Sequence, residues 1–243
     1  MKIIVFDLLG KMAHFRKFYT NSSSLSYYFP PKTVISGLIA GVLGMEKDSY
    51  YEFFDEPAKV AIEIKTSLRK QINVVNYLMI KKEDSKKISS FRGMGNRTLV
   101  PMEFVYPKDS KFLCYRIYFN HEDEKILKNF EKRLEEKKFI YPPYLGITEL
   151  PAKLEFIGSF KGEINNESEV VVPTVLKREY YKRLELMGSL QRDRLPESFY
   201  KDRRIKKVSD YVYIPYPDKI KFLRSSSAQL CNISERGITI SFL

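Results

Sequence analysis

Residues 3–9 (IIVFDLL) form a β-rich, almost wholly apolar run, as expected of a central strand covered on at least one face. After a polar loop, residues 33–44 read as an apolar helix in which Gly37, Gly41 and Gly44 recur. Glycine costs about 1 kcal/mol against alanine inside a helix, so this recurrence predicts close backbone approach to a sheet. A second short helical piece is expected at 49–54. Residues 58–64 (AKVAIEI) alternate apolar and polar, 72–80 (INVVNYLMI) are rich in β-branched and aromatic residues, and 112–119 (FLCYRIYF) read as a further strand. The polar excursion at 81–111 carries Lys81, Lys82, Lys86, Lys87, Arg92 and Arg97 around Gly93 and Gly95. About thirty residues is long for an idle hairpin loop, which predicts a functional arm.

The clearest helix is 122–138, where Ile126, Phe130 and Leu134 share one face, acids crowd the start and Lys137 and Lys138 lie near the end. Pro142, Pro143 and Gly146 mark a turn, and 154–160 (LEFIGSF) supplies another strand. The order strand, helix, strands, helix, strand predicts a ferredoxin-like (RRM-like) α+β domain. From about residue 163 the character shifts. Residues 165–168 are a polar linker, 170–172 are strand-like, 177–207 are strongly basic, and 211–216, 219–223 and 237–242 read as short strands. The expected organisation is one domain over 1–164 and a smaller, basic, β-rich region over 165–243.

Charge narrows the class of partner. With 42 Lys and Arg against 30 Asp and Glu, the 243-residue chain carries a formal charge of +12, which makes nucleic acid the leading partner. Acidic proteins and anionic membranes are the alternatives. The longest apolar stretch, 34–45, falls short of the roughly 20 residues that span a bilayer, so no membrane is expected. The N-terminus carries no export signal, and the two distant cysteines, Cys114 and Cys231, suggest neither a disulfide framework nor a metal cluster. A cytoplasmic protein without cofactor or metal is expected.

The densest candidate chemistry lies between Gly10 and the apolar helix. Lys11, Arg16 and Lys17 offer cations, Tyr19, Tyr27 and Tyr28 stacking faces, and Asn21, Ser22, Ser23 and Ser24 short hydrogen-bonding groups. No carboxylate occurs between Gly10 and Leu43, and Pro30 and Pro31 mark the start of the helix, where unpaired amides attract anions close to Lys32 and Thr33. Cations neutralise phosphates, and tyrosines stack on unpaired bases for roughly 1–3 kcal/mol each. The plainer alternative is that Phe15, Phe18, Tyr28 and Phe29 staple the loop to the core. We favour that for the phenylalanines, and ligand contact for Arg16, Lys17 and 21–24. In the 81–111 arm, Arg92 and Arg97 are candidates for phosphate or base contact.

The chain lacks HExxH, Cys/His metal spacing, GxSxG and a P-loop. Metal-free RNA cleavage needs only an acid–base side chain and a cation, so His14 beside Arg16 and Lys17 is the one catalytic candidate if the protein is a nuclease. Stacking or hydrogen bonding to RNA is the favoured role for His14, and capping or packing for His121.

The segment from Gly10 through AHFRKFYTNSSSLSYYFPPKTVISGLIAGVLG, with DSYYEFF at 48–54 and PYLGITELPA at 143–152, resembles the CRISPR-associated protein 5 family of the RAMP superfamily, especially its type I-B form. From about residue 165 the resemblance is thin. It implies a non-catalytic Cascade subunit that binds the crRNA 5′ handle beneath a β-hairpin thumb, here about 81–111, with Gly146 in the glycine loop near the end of the first domain. It implies the Cascade backbone subunit and large subunit as partners, with target DNA reached through the complex by guide pairing. A type I-C branch implies the alternative, a metal-independent endoribonuclease processing precursor crRNA with a tyrosine, lysine and histidine. Here His121 follows Asn120 rather than lysine, which favours binding over cutting.

Overall fold

The computed structural model describes residues 1–21, 23–78, 90, 97–185, 189–214, 216 and 218–243. The elements are β1 (Lys2–Gly10), β2 (Phe15–Arg16), β3 (Ser26–Tyr27), α1 (Lys32–Leu43), β4 (Ala58–Ile64), β5 (Leu68–Leu78), β6 (Arg97–Pro107), β7 (Leu113–His121), α2 (Glu124–Glu136) and β8 (Lys153–Lys161). There follow β9 (Glu163–Ile164), β10 (Glu169–Val172), β11 (Leu176–Lys177), β12 (Tyr181–Glu185), β13 (Gln191–Phe199), β14 (Ile205–Tyr213), β15 (Ile220–Arg224), β16 (Leu230–Ile233) and β17 (Ile238–Ser241).

A four-stranded antiparallel sheet in the order β4-β7-β1-β8 organises the molecule. Ile4, Phe6 and Leu8 of β1 join Ile35 and Ile39 of α1 and Leu127, Phe130 and Leu134 of α2 in one core. On the opposite face, Ile3 and Val5 meet Ala61, Tyr118, Cys231, Ile233, Ile240 and Phe242. Because both faces are covered, β1 reads as continuous apolar sequence rather than alternating. Asp7 is tolerated there because Arg116 on β7 donates to both of its carboxylate oxygens, at 2.7 and 2.8 Å.

Helix α2 starts on Asp123, whose carboxylate accepts from the Lys125 amide. Leu127, Phe130 and Leu134 face the core, whereas Ile126, expected on that face, is only half-buried. Phe130 packs edge-on against Phe6 and Phe119. In α1 the glycines do not abut a sheet. Gly37 faces the Tyr50 hydroxyl and Gly41 the Tyr141 Cβ, while Gly44 ends the helix in the left-handed region at φ +78°. The helical piece expected at 49–54 is hydrogen-bonded turn, with one bond from the Phe54 amide to the Tyr50 carbonyl.

Two long antiparallel strand pairs, β5–β6 and β13–β14, flank or overlap the sequence read as arm and as basic stretch. Of the arm expected over 81–111, residues 81–89 and 91–96 lie outside the described residues; β6, Arg97–Pro107, pairs with β5 from Leu68↔Pro107 to Leu78↔Arg97. Overlapping the basic stretch 177–207, β13 and β14 form a hairpin over 191–213, with register shifts around Pro196 and Ser198. Leu195, Tyr211, Tyr213, Val175 and Leu243 join the same core as α1 and the sheet. The Val175 and Leu243 amides donate to the carbonyls of Ile62 and Val60, so the chain beyond 165 covers the open edge of β4.

Candidate nucleic-acid interface

The loop after β1 is held at three points. The amide and carbonyl of Ala13 exchange hydrogen bonds with Val105 of β6, at 2.9 and 2.8 Å. The His14 amide donates to the Leu145 carbonyl at 3.1 Å, and a Cβ on Gly146 would lie 1.9 Å from the His14 carbonyl oxygen. Only glycine fits there, and its φ of +93° requires glycine independently. Further on, β2 pairs with β3, and Glu103 of β6 accepts from the Ser26 amide and from Lys70. The loop is thus clamped between the root of the β5–β6 hairpin and the 144–151 turn.

This clamp decides which sequence candidates face outward. His14 is 2 % exposed; Nδ1 lies 2.8 Å from the Glu103 carbonyl and Nε2 3.0 Å from the Ser24 hydroxyl. Burial lowers its pKa, with the Glu103 carbonyl opposing the shift. His14 therefore braces the loop, and Ser24 is spent on it. Tyr27 is fully buried, its hydroxyl donating to the Arg194 carbonyl at 2.7 Å, so it offers no stacking face. Lys17 gives its ammonium to Asp193 at 2.6 Å, with side chains only 15 % and 8 % exposed. Burial alone would lower its pKa, but the Asp193 carboxylate and the Tyr19 hydroxyl together outweigh this and raise it.

The start of α1 is packed rather than open. Pro30, Pro31 and Lys32 are all buried, and the Lys32 ammonium donates to the Asp55 carbonyl at 2.6 Å. Burial pulls its pKa down to about 8. Thr33 is half-buried. The expected phosphate site at this helix start is replaced by a buried lysine, and Gly146 serves packing.

The outward groups lie on both sides of the clamp at Ala13 and His14, Lys11 before it and the rest beyond it. Lys11, Arg16, Phe18, Tyr19, Asn21 and Ser23 are exposed, Tyr19 at 51 %. Arg16 bonds only the Thr20 carbonyl, at 3.2 Å, leaving its charge unpaired among the described residues. Phe18 and Tyr19 meet edge-on at 5.3 Å. Arg97 is exposed at the start of β6; Ser22 and Arg92 lie outside the described residues. Reasoning from sequence missed Glu103 and Asp193, which hold the loop from 77 and 176 residues away, and no local signal marks either.

The basic 177–207 stretch is mostly paired. Lys177 and Lys207 bond Glu197, and Lys201, Arg203 and Lys206 reach Glu52, Asp48 and Asp55. His121 accepts from the Asp123 amide and meets the Phe53 carbonyl, a packing role at the head of α2. No helix among the described residues is long and apolar enough to cross a membrane, and none of them forms a cluster of three or more His, Cys, Asp or Glu able to hold a metal.

No curated protein matches this chain. Among solved structures, a CRISPR protein from Archaeoglobus fulgidus is similar at TM-score 0.62 and 13% identity, covering 100% of this chain and 99% of that one. A chain of a CRISPR RNA-guided surveillance complex is similar at TM-score 0.50 and 10% identity, covering 92% of each. At these identities the likeness is one of fold. Residues 3–210 match the family described as CRISPR-associated protein (Cas_Cas5), and the chain belongs to that Cas5 family.

Proposed function

We propose that this chain is a non-catalytic, crRNA-binding subunit of a type I, I-B-like, CRISPR Cascade complex, holding the 5′ handle of the crRNA and capping the backbone. The observation that carries this is the clamped loop, which turns Lys11, Arg16, Tyr19, Asn21 and Ser23 outward while His14, Lys17, Ser24 and Tyr27 are consumed internally. A clamped loop with outward cations and an aromatic face suits the backbone and unpaired bases of a single strand. Its partners would be the backbone and large subunits, with target DNA reached through the assembly in the cytoplasm.

The strand order β8-β1-β7-β4, with α1 after β1 and α2 after β7, supports a ferredoxin-like RAMP domain over 1–164. The β5–β6 hairpin inserted between β4 and β7 would be its thumb. Residues 165–243 would act as a packed extension of that domain. Against the endoribonuclease alternative stands His14, whose ring nitrogens both have partners and which is buried.

The test is to incubate the pure protein with labelled repeat RNA in EDTA. A stable complex that prefers handle sequence over scrambled RNA, with the RNA intact, is expected. Specific scission abolished by His14→Ala would replace this account with the nuclease.

A further inference from the structure

Where the clamped loop, the root of the β5–β6 hairpin and the β13–β14 hairpin converge, a cavity of about 220 Å³ opens, lined by Tyr28, Ile64, Leu68, Gln191 and Tyr213. We infer that it receives one nucleobase turned out of the stack of a bound single strand, with the Gln191 carboxamide reading the edge of that base. The inference rests on the RNA-binding proposal above and adds a site to it: none of the lining residues is among the loop's outward groups.

The walls are set before any ligand arrives. Tyr213 is 3 % exposed, donates its hydroxyl to Asp193 at 3.0 Å and meets Phe29 edge-on at 5.0 Å. The same Asp193 carboxylate receives Lys17, so the cavity wall and the RNA-facing loop share one anchor. Tyr28 is fixed through its carbonyl, which accepts from the Tyr115 hydroxyl at 2.7 Å, and the Lys70 ammonium lies 4.2 Å from its ring centroid. The Tyr28 and Tyr213 rings are 6.2 Å apart and inclined by 54°, an open V rather than a closed stack.

Gln191 supplies the polar complement. It opens β13 opposite Tyr213, is half-exposed, and its amide has no hydrogen-bond partner among the described residues. Two aromatic walls, two aliphatic ones and one free carboxamide match a flat heterocycle with in-plane donors and acceptors. An aliphatic side chain from a protein partner would leave the amide unsatisfied, and an anionic ligand would approach Asp193.

The test measures binding of the full chain, by fluorescence anisotropy, to labelled oligo-U, oligo-C and oligo-A RNAs of about nine nucleotides, within the site sizes of single-strand binders. The wild type should separate the tightest from the weakest by about fivefold or more, the discrimination of one well-placed amide contact. Gln191→Ala should compress that spread to about twofold while keeping the salt dependence of binding. Leu68→Phe, which narrows the cavity from its aliphatic wall and adds no polar atom, should compress it likewise. Undiminished discrimination in both variants would overturn the base site and leave the RNA-binding proposal standing, with a protein side chain as the occupant to seek. Failure of the wild type to bind any of the three, together with failure to bind labelled repeat RNA, would overturn both.

Discussion

The ammonium of Lys17 and the carboxylate of Asp193 meet at 2.6 Å across 176 residues of sequence, tying the loop after β1 to the β13 strand. The Lys17 ammonium also lies 5.4 Å from the centroid of the buried Tyr27 ring. This lysine therefore organises the loop, its ammonium committed to Asp193. Removing one partner of a largely desolvated pair leaves the other charge buried, so Lys17→Met or Asp193→Asn alone should each cost about 3 kcal/mol. In urea titrations the double variant should recover part of that loss; simple addition of the two single losses would show that the pair is not coupled.

Gly146 is the second fixed point. Substitution by alanine must relieve a 1.9 Å clash with the His14 carbonyl and hold φ at +93°, so Gly146→Ala should destabilise by about 2–4 kcal/mol. Gly237, at φ +60° with open space around it, is the control, and there alanine should cost only about 1 kcal/mol. Equal losses in the two variants, measured by thermal melts, would refute the packing role of Gly146.

Glu197 gathers Lys177, Lys207 and the Ser209 hydroxyl under β13. Burial would raise its pKa, but the Lys177 ammonium and its neighbours outweigh burial and hold it at about 2, against 4.5 ordinarily. A folded-state pKa below the unfolded one gives stability that is present above about pH 4.5 and lost as pH falls toward about 2. Glu197→Gln should therefore cost about 3 kcal/mol near neutrality, and its deficit against wild type should shrink across that window. A deficit independent of pH would contradict the assignment.

Several elements were legible because their chemistry is local. The apolar run of β1, the alternation of β4 and the amphipathic face of α2 each carry their own period. Strand β6 was hidden because RTLVPMEFVYP holds two prolines and leaves Leu99 and Pro101 exposed, so no clean alternation appears. The β13–β14 hairpin was hidden for a different reason: its charged residues look like solvated surface, yet Asp193 is buried and Glu197 nearly so, each with partners from other elements. The site shows the same division. Lys11, Arg16, Tyr19, Asn21 and Ser23 sit at the surface as their polarity suggests. His14, Lys17, Tyr27 and Lys32 are drawn inward by Glu103, Asp193, Arg194 and Asp55, which no spacing near residue 14 reveals.

The central claim is that the outward groups of the clamped loop grip the phosphates of a single RNA strand. Each phosphate contact contributes about 0.7 to the slope of log affinity against log salt for single strands. Replacing Lys11 and Arg16 by alanine together should lower that slope by about 1.4 and weaken handle binding, while Lys17→Met should leave the slope unchanged. A slope that survives loss of Lys11 and Arg16, or that falls only with Lys17, would contradict the account.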